Sequence, residues 1–210
     1  DTTIGFASKA TDATTDAMTI SLNGVGAAKV LNTDGTEKTA QVNSRITMAG
    51  IEDVTLKTTG TESFVKLSAM NATTLTANGS ANLTISAVKD GLTSVDASGL
   101  NGNVTADISA VTANAVKTVV TSTGDDSITA TMASLTANAS IALGEGTDKL
   151  TLTGTGATSQ YVMSGVETVA VQTTGATVFS AKNVTGLSTI EINDTTNNGL
   201  SVVNLGAADM

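Results

Sequence analysis

Cysteine, histidine, proline and tryptophan are all missing from this 210-residue sequence. Without cysteine there are no disulfides, thiol nucleophiles or thiolate metal ligands. Without histidine, Ser-His and Cys-His nucleophile activation is excluded, and zinc catalysis lacks its usual ligands. The absence of proline excludes a stiff Pro-rich linker or mucin-like stalk. Aromatic residues make up 2%: Phe6, Phe64, Tyr161 and Phe179. Carboxylate pairs such as Glu52 with Asp53 or Glu167 with Glu191 have the composition for glycoside hydrolysis. The scarcity of aromatic stacking platforms favours solvated strand-face glutamates instead, and the chain is expected not to be an enzyme. No basic segment precedes an apolar run, so export would rely on a signal outside these residues. No stretch reaches the length of a membrane span. Nineteen acidic residues against ten basic give a formal charge of -9, which repels nucleic acid and anionic lipid and suits a cation-rich exterior.

The 40% apolar share comes almost wholly from Ala, Val, Leu and Ile, a supply for thin stacked layers. Threonine favours pleated strands, and Asn and Gly suit the turns between them. Internal repetition is the strongest signal. Residues 50–60, GIEDVTLKTTG, match residues 165–175, GVETVAVQTTG. Upstream, Asp16 to Leu22 resembles Asp148 to Gly154, and downstream Leu67 to Asn71 resembles Phe179 to Asn183. Two repeat blocks are therefore expected, residues 1–143 and 144–210, the second truncated as in a piece of a longer protein. The first block holds an extra loop or hairpin near 23–45, signalled by Gly24, Gly26, Asn32 and Asp34-Gly35. Glu52 and Glu167, each after a Gly-aliphatic pair, are expected to satisfy turn amides or pair with a lysine of the next coil.

Inside this pattern, an aliphatic residue, a polar residue and Ala recur mostly seven to ten residues apart, as Leu67-Ser68-Ala69, Leu75-Thr76-Ala77, Ile85-Ser86-Ala87, Val95-Asp96-Ala97, Val104-Thr105-Ala106 and Val111-Thr112-Ala113, and resume at Ile128-Thr129-Ala130 and Leu135-Thr136-Ala137. In a strand the outer two members of each triplet share a face. Asn78-Gly79, Asp90-Gly91, Ser98-Gly99 and Asn101-Gly102 supply turns. Two steps per coil give an all-β, repeat-built parallel β-solenoid with coils of roughly 18 to 22 residues. A β-sandwich of short strands is the alternative. Asn-x-Thr triplets at Asn71, Asn82, Asn103, Asn183 and Asn193 are expected from this composition without glycosylation.

Leu143-Gly-Glu-Gly-Thr-Asp-Lys-Leu150 holds G-x-G-x-D-x-aliphatic, most of the nonapeptide G-G-x-G-x-D-x-U-x, whose glycine turns and Asp bind calcium between coils. Gly124-Asp125-Asp126-Ser127-Ile128 gives its second half, matching Asp126 to Asp148 and Gly124 to Gly146. The two turns lie about 22 residues apart, one coil, so they can stack. Calcium takes six to eight oxygens. Asp126, Asp148 and carbonyls at Gly124 and Gly146 are the candidate ligands, with Asp125 and Glu145 completing the shell. The competing reading is that these carboxylates cap backbone N–H groups. Asp16 and Asp209 sit in more degraded versions of the turn.

Gly144-Glu-Gly-Thr-Asp148, the two segments ending in Thr-Thr-Gly, and Asp90 to Gly99 give the chain its resemblance. It resembles the RTX-type surface-layer (S-layer) proteins of Gram-negative bacteria exported by type I secretion. Perfect tandem nonapeptides are absent. The resemblance implies a secreted, cell-surface structural module that self-assembles into a two-dimensional coat, with calcium-dependent folding or lattice contacts. Its partners would be other copies of itself, and a cell-surface polysaccharide reached through a region outside this chain. The alternative is a repeat or binding domain of a large secreted RTX adhesin.

Overall fold

The structure, a computed structural model, describes residues 2–3, 16–68, 71–86, 88, 91–111, 116–158, 161–194 and 197–206. Among these residues there is no helix, so none is long and apolar enough to cross a membrane. The chain enters through β1 (Thr2–Thr3) and β2 (Ala17–Asn23), then forms a side ribbon, β3 (Val30–Leu31) with β4 (Glu37–Thr39). Strands then alternate between two sheets: β5 (Ser44–Thr47), β6 (Asp53–Thr59), β7 (Ser63–Ser68), β8 (Thr74–Gly79), β9 (Leu83–Ser86), β10 (Ser94–Leu100) and β11 (Val104–Asp107). The alternation continues through β12 (Val116–Val120), β13 (Ser127–Thr131), β14 (Leu135–Ala142), β15 (Lys149–Ala157), β16 (Val162–Ser164), β17 (Thr168–Ser180) and β18 (Val184–Thr185). The last two strands, β19 (Thr189–Ile192) and β20 (Leu200–Val203), both pair with β17.

The odd-numbered strands from β5, with β1 and β20, make a ten-stranded sheet, and the even-numbered strands from β2 to β18, without β4, make an eight-stranded one. Every pairing is parallel except β3 with β4. The fold is a parallel β-solenoid of about seven turns, as the repeated triplets predict; a sandwich of hairpin-linked strands would be antiparallel. From β5 and β6 onward, aligned residues of successive coils lie from 19 apart (Lys149 with Thr168) to 24 apart (Ser94 with Thr118); across the insertion, Ala17 aligns with Asp53 and Thr2 with Ile46. The position between residues 143 and 144 falls inside both sheets, because β13 pairs β15 and β14 pairs β16.

Each sheet turns columns of aliphatic side chains inward, one of which runs nearly its whole length. Val65, Ile85, Ala106, Ile128, Leu150, Val169 and Ile190 stack along one sheet. Met18, Val54, Leu75, Val95, Val119, Ile141, Met163 and Val184 stack along the other. The middle members of both columns are buried in one continuous core. Burial of each such side chain stabilises the fold by about 1.5–3 kcal/mol relative to exposure, so stacked small aliphatics do the work that aromatics do elsewhere.

The triplets fall as expected in β8, β10, β11 and β13. Two depart. Val111 is buried but precedes β12, which begins only at Val116. In β14 the register slips between Val116 with Leu135 and Thr118 with Ser140, which leaves Ala137 exposed while Ala139 and Ile141 turn inward. Ala69, Ala87, Asp90, Thr112, Ala113 and Asp209 lie outside the described residues.

Candidate functional site

Where the chain enters β13 and β15, an inward stack changes character. The strand registers align Leu83 with Val104 directly, and carry the stack on through Asp126, Asp148 and Glu167. Ser63, whose hydroxyl accepts from Val25 N–H, precedes them in the stack, and Leu83 and Val104 fill the next two positions with hydrocarbon. Asp126 (2% exposed) and Asp148 (0%) occupy the equivalent places as carboxylates. A carboxylate in an apolar stack must find donors, and here each reaches back one coil. Val104 N–H donates to Asp126 Oδ1 at 2.7 Å, Asp126 N–H to Asp148 Oδ1 at 2.8 Å, and Asp148 N–H to Glu167 Oε2 at 2.8 Å.

A second ladder runs beside the first in the opposite sense. Asn103 N–H donates to Asn82 Oδ1 (3.0 Å), Asp125 N–H to Asn103 Oδ1 (3.2 Å), and Thr147 N–H to Asp125 Oδ1 (2.9 Å). Main-chain amides at this corner thus find side-chain acceptors in a neighbouring coil, in addition to the strand ladders. The coil-length spacing of Asn82, Asn103, Asp125 and Thr147 was the available sequence signal, hidden because two of the acceptors are asparagines. The backbone is equally constrained. Gly146 has φ +145°, and a Cβ there would lie 2.1 Å from the Gly124 carbonyl oxygen.

The repeated glutamates share one role. Glu52 Oε2 accepts from Asp16 N–H at 2.9 Å, as Glu167 does from Asp148. The first corner feeds the eight-stranded sheet and the second the ten-stranded one, so the repeated sequence specifies one turn used on both sides of the coil. Of the two roles expected, amide capping is the one observed. Glu191 instead pairs with Lys149 at 2.6 Å.

The six predicted residues separate into two groups. Asp126 and Asp148 are buried together, whereas Asp125 and Glu145 are exposed on the outer side of the corner with Gly146 beside them. Gly124 N–H donates to the Glu145 carbonyl (3.0 Å), and Glu145 N–H to the Ser122 carbonyl (2.8 Å). Asp126 Oδ2 and Asp148 Oδ2 are buried with no hydrogen-bond partner, as is Asp16 Oδ2. Burial pushes the Asp148 carboxyl up to about 6; the Asp126 amide opposes this, and the charges of Asp126, Glu167 and Asp125 add to it. Burial also raises Asp126, against the neighbouring Thr121 hydroxyl, whose own hydrogen bond goes to the Leu143 carbonyl, and against the Val104 amide, with the Asp125 charge adding.

In kind, two carboxylate oxygens one coil apart are donors of the type a hard cation takes. In number they form only part of a shell, since no group of three or more acidic side chains among the described residues is gathered to hold a metal.

Fold and corner together define the chain as a parallel two-sheet β-solenoid whose coils are locked by carboxylate and amide ladders. No protein-family model, curated protein or solved structure matches it.

Proposed function

We infer that this chain is a noncatalytic structural module of a secreted bacterial surface layer, built to pack with its own kind into a two-dimensional coat. The observation that carries the reading is the buried Asp126 and Asp148 pair, each with one carboxylate oxygen lacking a protein partner. Two adjacent ionised carboxylates in a buried stack repel each other and lose hydration. A divalent cation relieves both penalties, and calcium accepts the mixed carboxylate, carbonyl and water shell available there. Calcium held through the free oxygens of Asp126 and Asp148 would tie two coils together in the exterior, where that ion is plentiful. The stiffness that a coat needs comes from the unbroken double sheet, and the acidic, hydroxyl-rich exterior suits a cation-rich surface.

Negative-stain electron microscopy of the purified chain tests the assembly. Ordered sheets that form with calcium and disperse on chelation are expected. A chain that forms no ordered array with calcium over a wide concentration range contradicts the coat.

A further inference from the structure

The residues between β2 and β5 form an arm. Its root is fixed: Phe64 N–H donates to the Val25 carbonyl at 2.6 Å, Val25 N–H to Ser63 Oγ at 3.2 Å, and Ala27 and Val42 exchange two bonds of 2.8 Å. Gly26 (φ +83°) permits this, since a Cβ there would meet the Phe64 and Val42 carbonyl oxygens at 2.5 and 2.6 Å. Its tip is closed by Asn32 N–H donating to the Thr36 carbonyl (2.7 Å), and by Asp34 Oδ1 accepting from Thr36 N–H (3.0 Å) and Oγ1 (2.6 Å).

Every residue from 26 to 42 is exposed, Val30, Leu31 and Val42 among them at 47, 49 and 55%. A two-stranded ribbon is barely stable by itself in water, and exposed branched side chains gathered on one projecting element mark a contact surface.

The charges beside the arm supply the partner's chemistry. Arg45 and Lys66 are directly registered neighbours on β5 and β7, and like charges placed so are destabilising. Neither has an ion-pair partner, the one salt bridge among the described residues being Lys149 with Glu191. Six of the ten basic residues lie in residues 1–66, with eight acidic ones, while residues 67–210 carry four basic and eleven acidic. The arm end is thus close to neutral with a bare cationic pair, and the rest of the solenoid is strongly acidic. At the ladder corner Asp125 and Glu145 are exposed.

We propose that the arm and the Arg45–Lys66 pair of one copy dock on the acidic Asp125–Glu145 corner of a second copy, with the exposed apolar side chains of one arm face buried at the contact. This deepens the surface-layer reading and rests on it. The two faces differ, so the contact is head-to-tail and propagates unless a ring closes. Charge complementarity sets orientation and makes association salt-sensitive.

Sedimentation equilibrium of the full chain, with calcium, tests the contact through three variants: R45E/K66E, V30S/L31S and D125K/E145K. Each should weaken self-association about tenfold or more, and the two arm-end variants should do so without changing the thermal midpoint. Mixing R45E/K66E with D125K/E145K copies should restore association. V30S/L31S lies wholly on exposed residues, so it keeps the test decisive where charge reversal disturbs folding. Association by V30S/L31S and R45E/K66E equal to that of the unmodified chain overturns the arm contact and leaves the coat standing. An unmodified chain that stays monomeric to about 1 mM overturns both.

Discussion

Asp126 and Asp148, one coil apart, are joined by a hydrogen bond from the main-chain N–H of the first to the carboxylate of the second, 2.8 Å long. Their aligned predecessors in the same stack are Val104 and Leu83, so the corner exchanges hydrocarbon contact for a charge-assisted ladder. The exchange stiffens the corner geometrically and leaves two carboxylate oxygens for a further ligand.

Replacing Asp148 separates these roles. Asp148→Ala removes the acceptor for Asp126 N–H and should destabilise the chain by about 2–3 kcal/mol in urea unfolding, because a buried amide is left unpaired. Asp148→Asn keeps an amide oxygen in the same place and should cost less than about 1 kcal/mol without calcium. Equal losses for both variants would show that charge, not the hydrogen bond, holds the corner.

Acid should stabilise the calcium-free chain. The Asp148 carboxyl is raised in the folded state from 3.8 to about 6, so between these values the folded chain binds more protons than the unfolded one. The unfolding free energy therefore falls as pH rises through that window, by on the order of 2–3 kcal/mol, and this contribution is gone above it. Asp126 shifts in the same direction. Urea midpoints from pH 4 to 7 should show the decline, and Asp148→Asn should flatten it. A midpoint that rises over this range would contradict the buried pair.

Two glycines should respond differently. Gly146→Ala brings a Cβ to 2.1 Å from the Gly124 carbonyl oxygen at φ +145°, and should cost about 2–4 kcal/mol in thermal or urea unfolding. Gly35→Ala, at the arm tip with φ +83° and open space around its Cβ position, should cost about 1 kcal/mol.

The double sheet was legible in the sequence because the triplets encode period two inside a coil-length repeat, and the GIEDVTLKTTG and GVETVAVQTTG segments mark the same capped turn twice. The hairpin insertion was legible from its glycines and Asp34-Gly35. The slip in β14 was not: Leu135-Thr136-Ala137 is a perfect triplet, and only the neighbouring strand forces Ala137 outward. At the corner, the stacking of Asp126 on Asp148 followed from their 22-residue spacing. Asp125 and Glu145 were grouped with them by proximity in sequence, yet strand alternation and the turn put them on the opposite side. Asn82 and Asn103 went unseen because their acceptor role depends on which amide the next coil brings beneath them.

Calorimetry of the unmodified chain and Asp148→Asn, with calcium against magnesium at matched ionic strength, tests the central claim most directly. A calcium ion bound by the folded chain alone adds about 2.7 kcal/mol at a hundredfold excess over its dissociation constant. Calcium should therefore raise the melting midpoint of the unmodified chain clearly, magnesium much less, and Asp148→Asn should lose most of the difference. A midpoint that calcium leaves unmoved, or moves equally in Asp148→Asn, would contradict calcium at the Asp126–Asp148 corner.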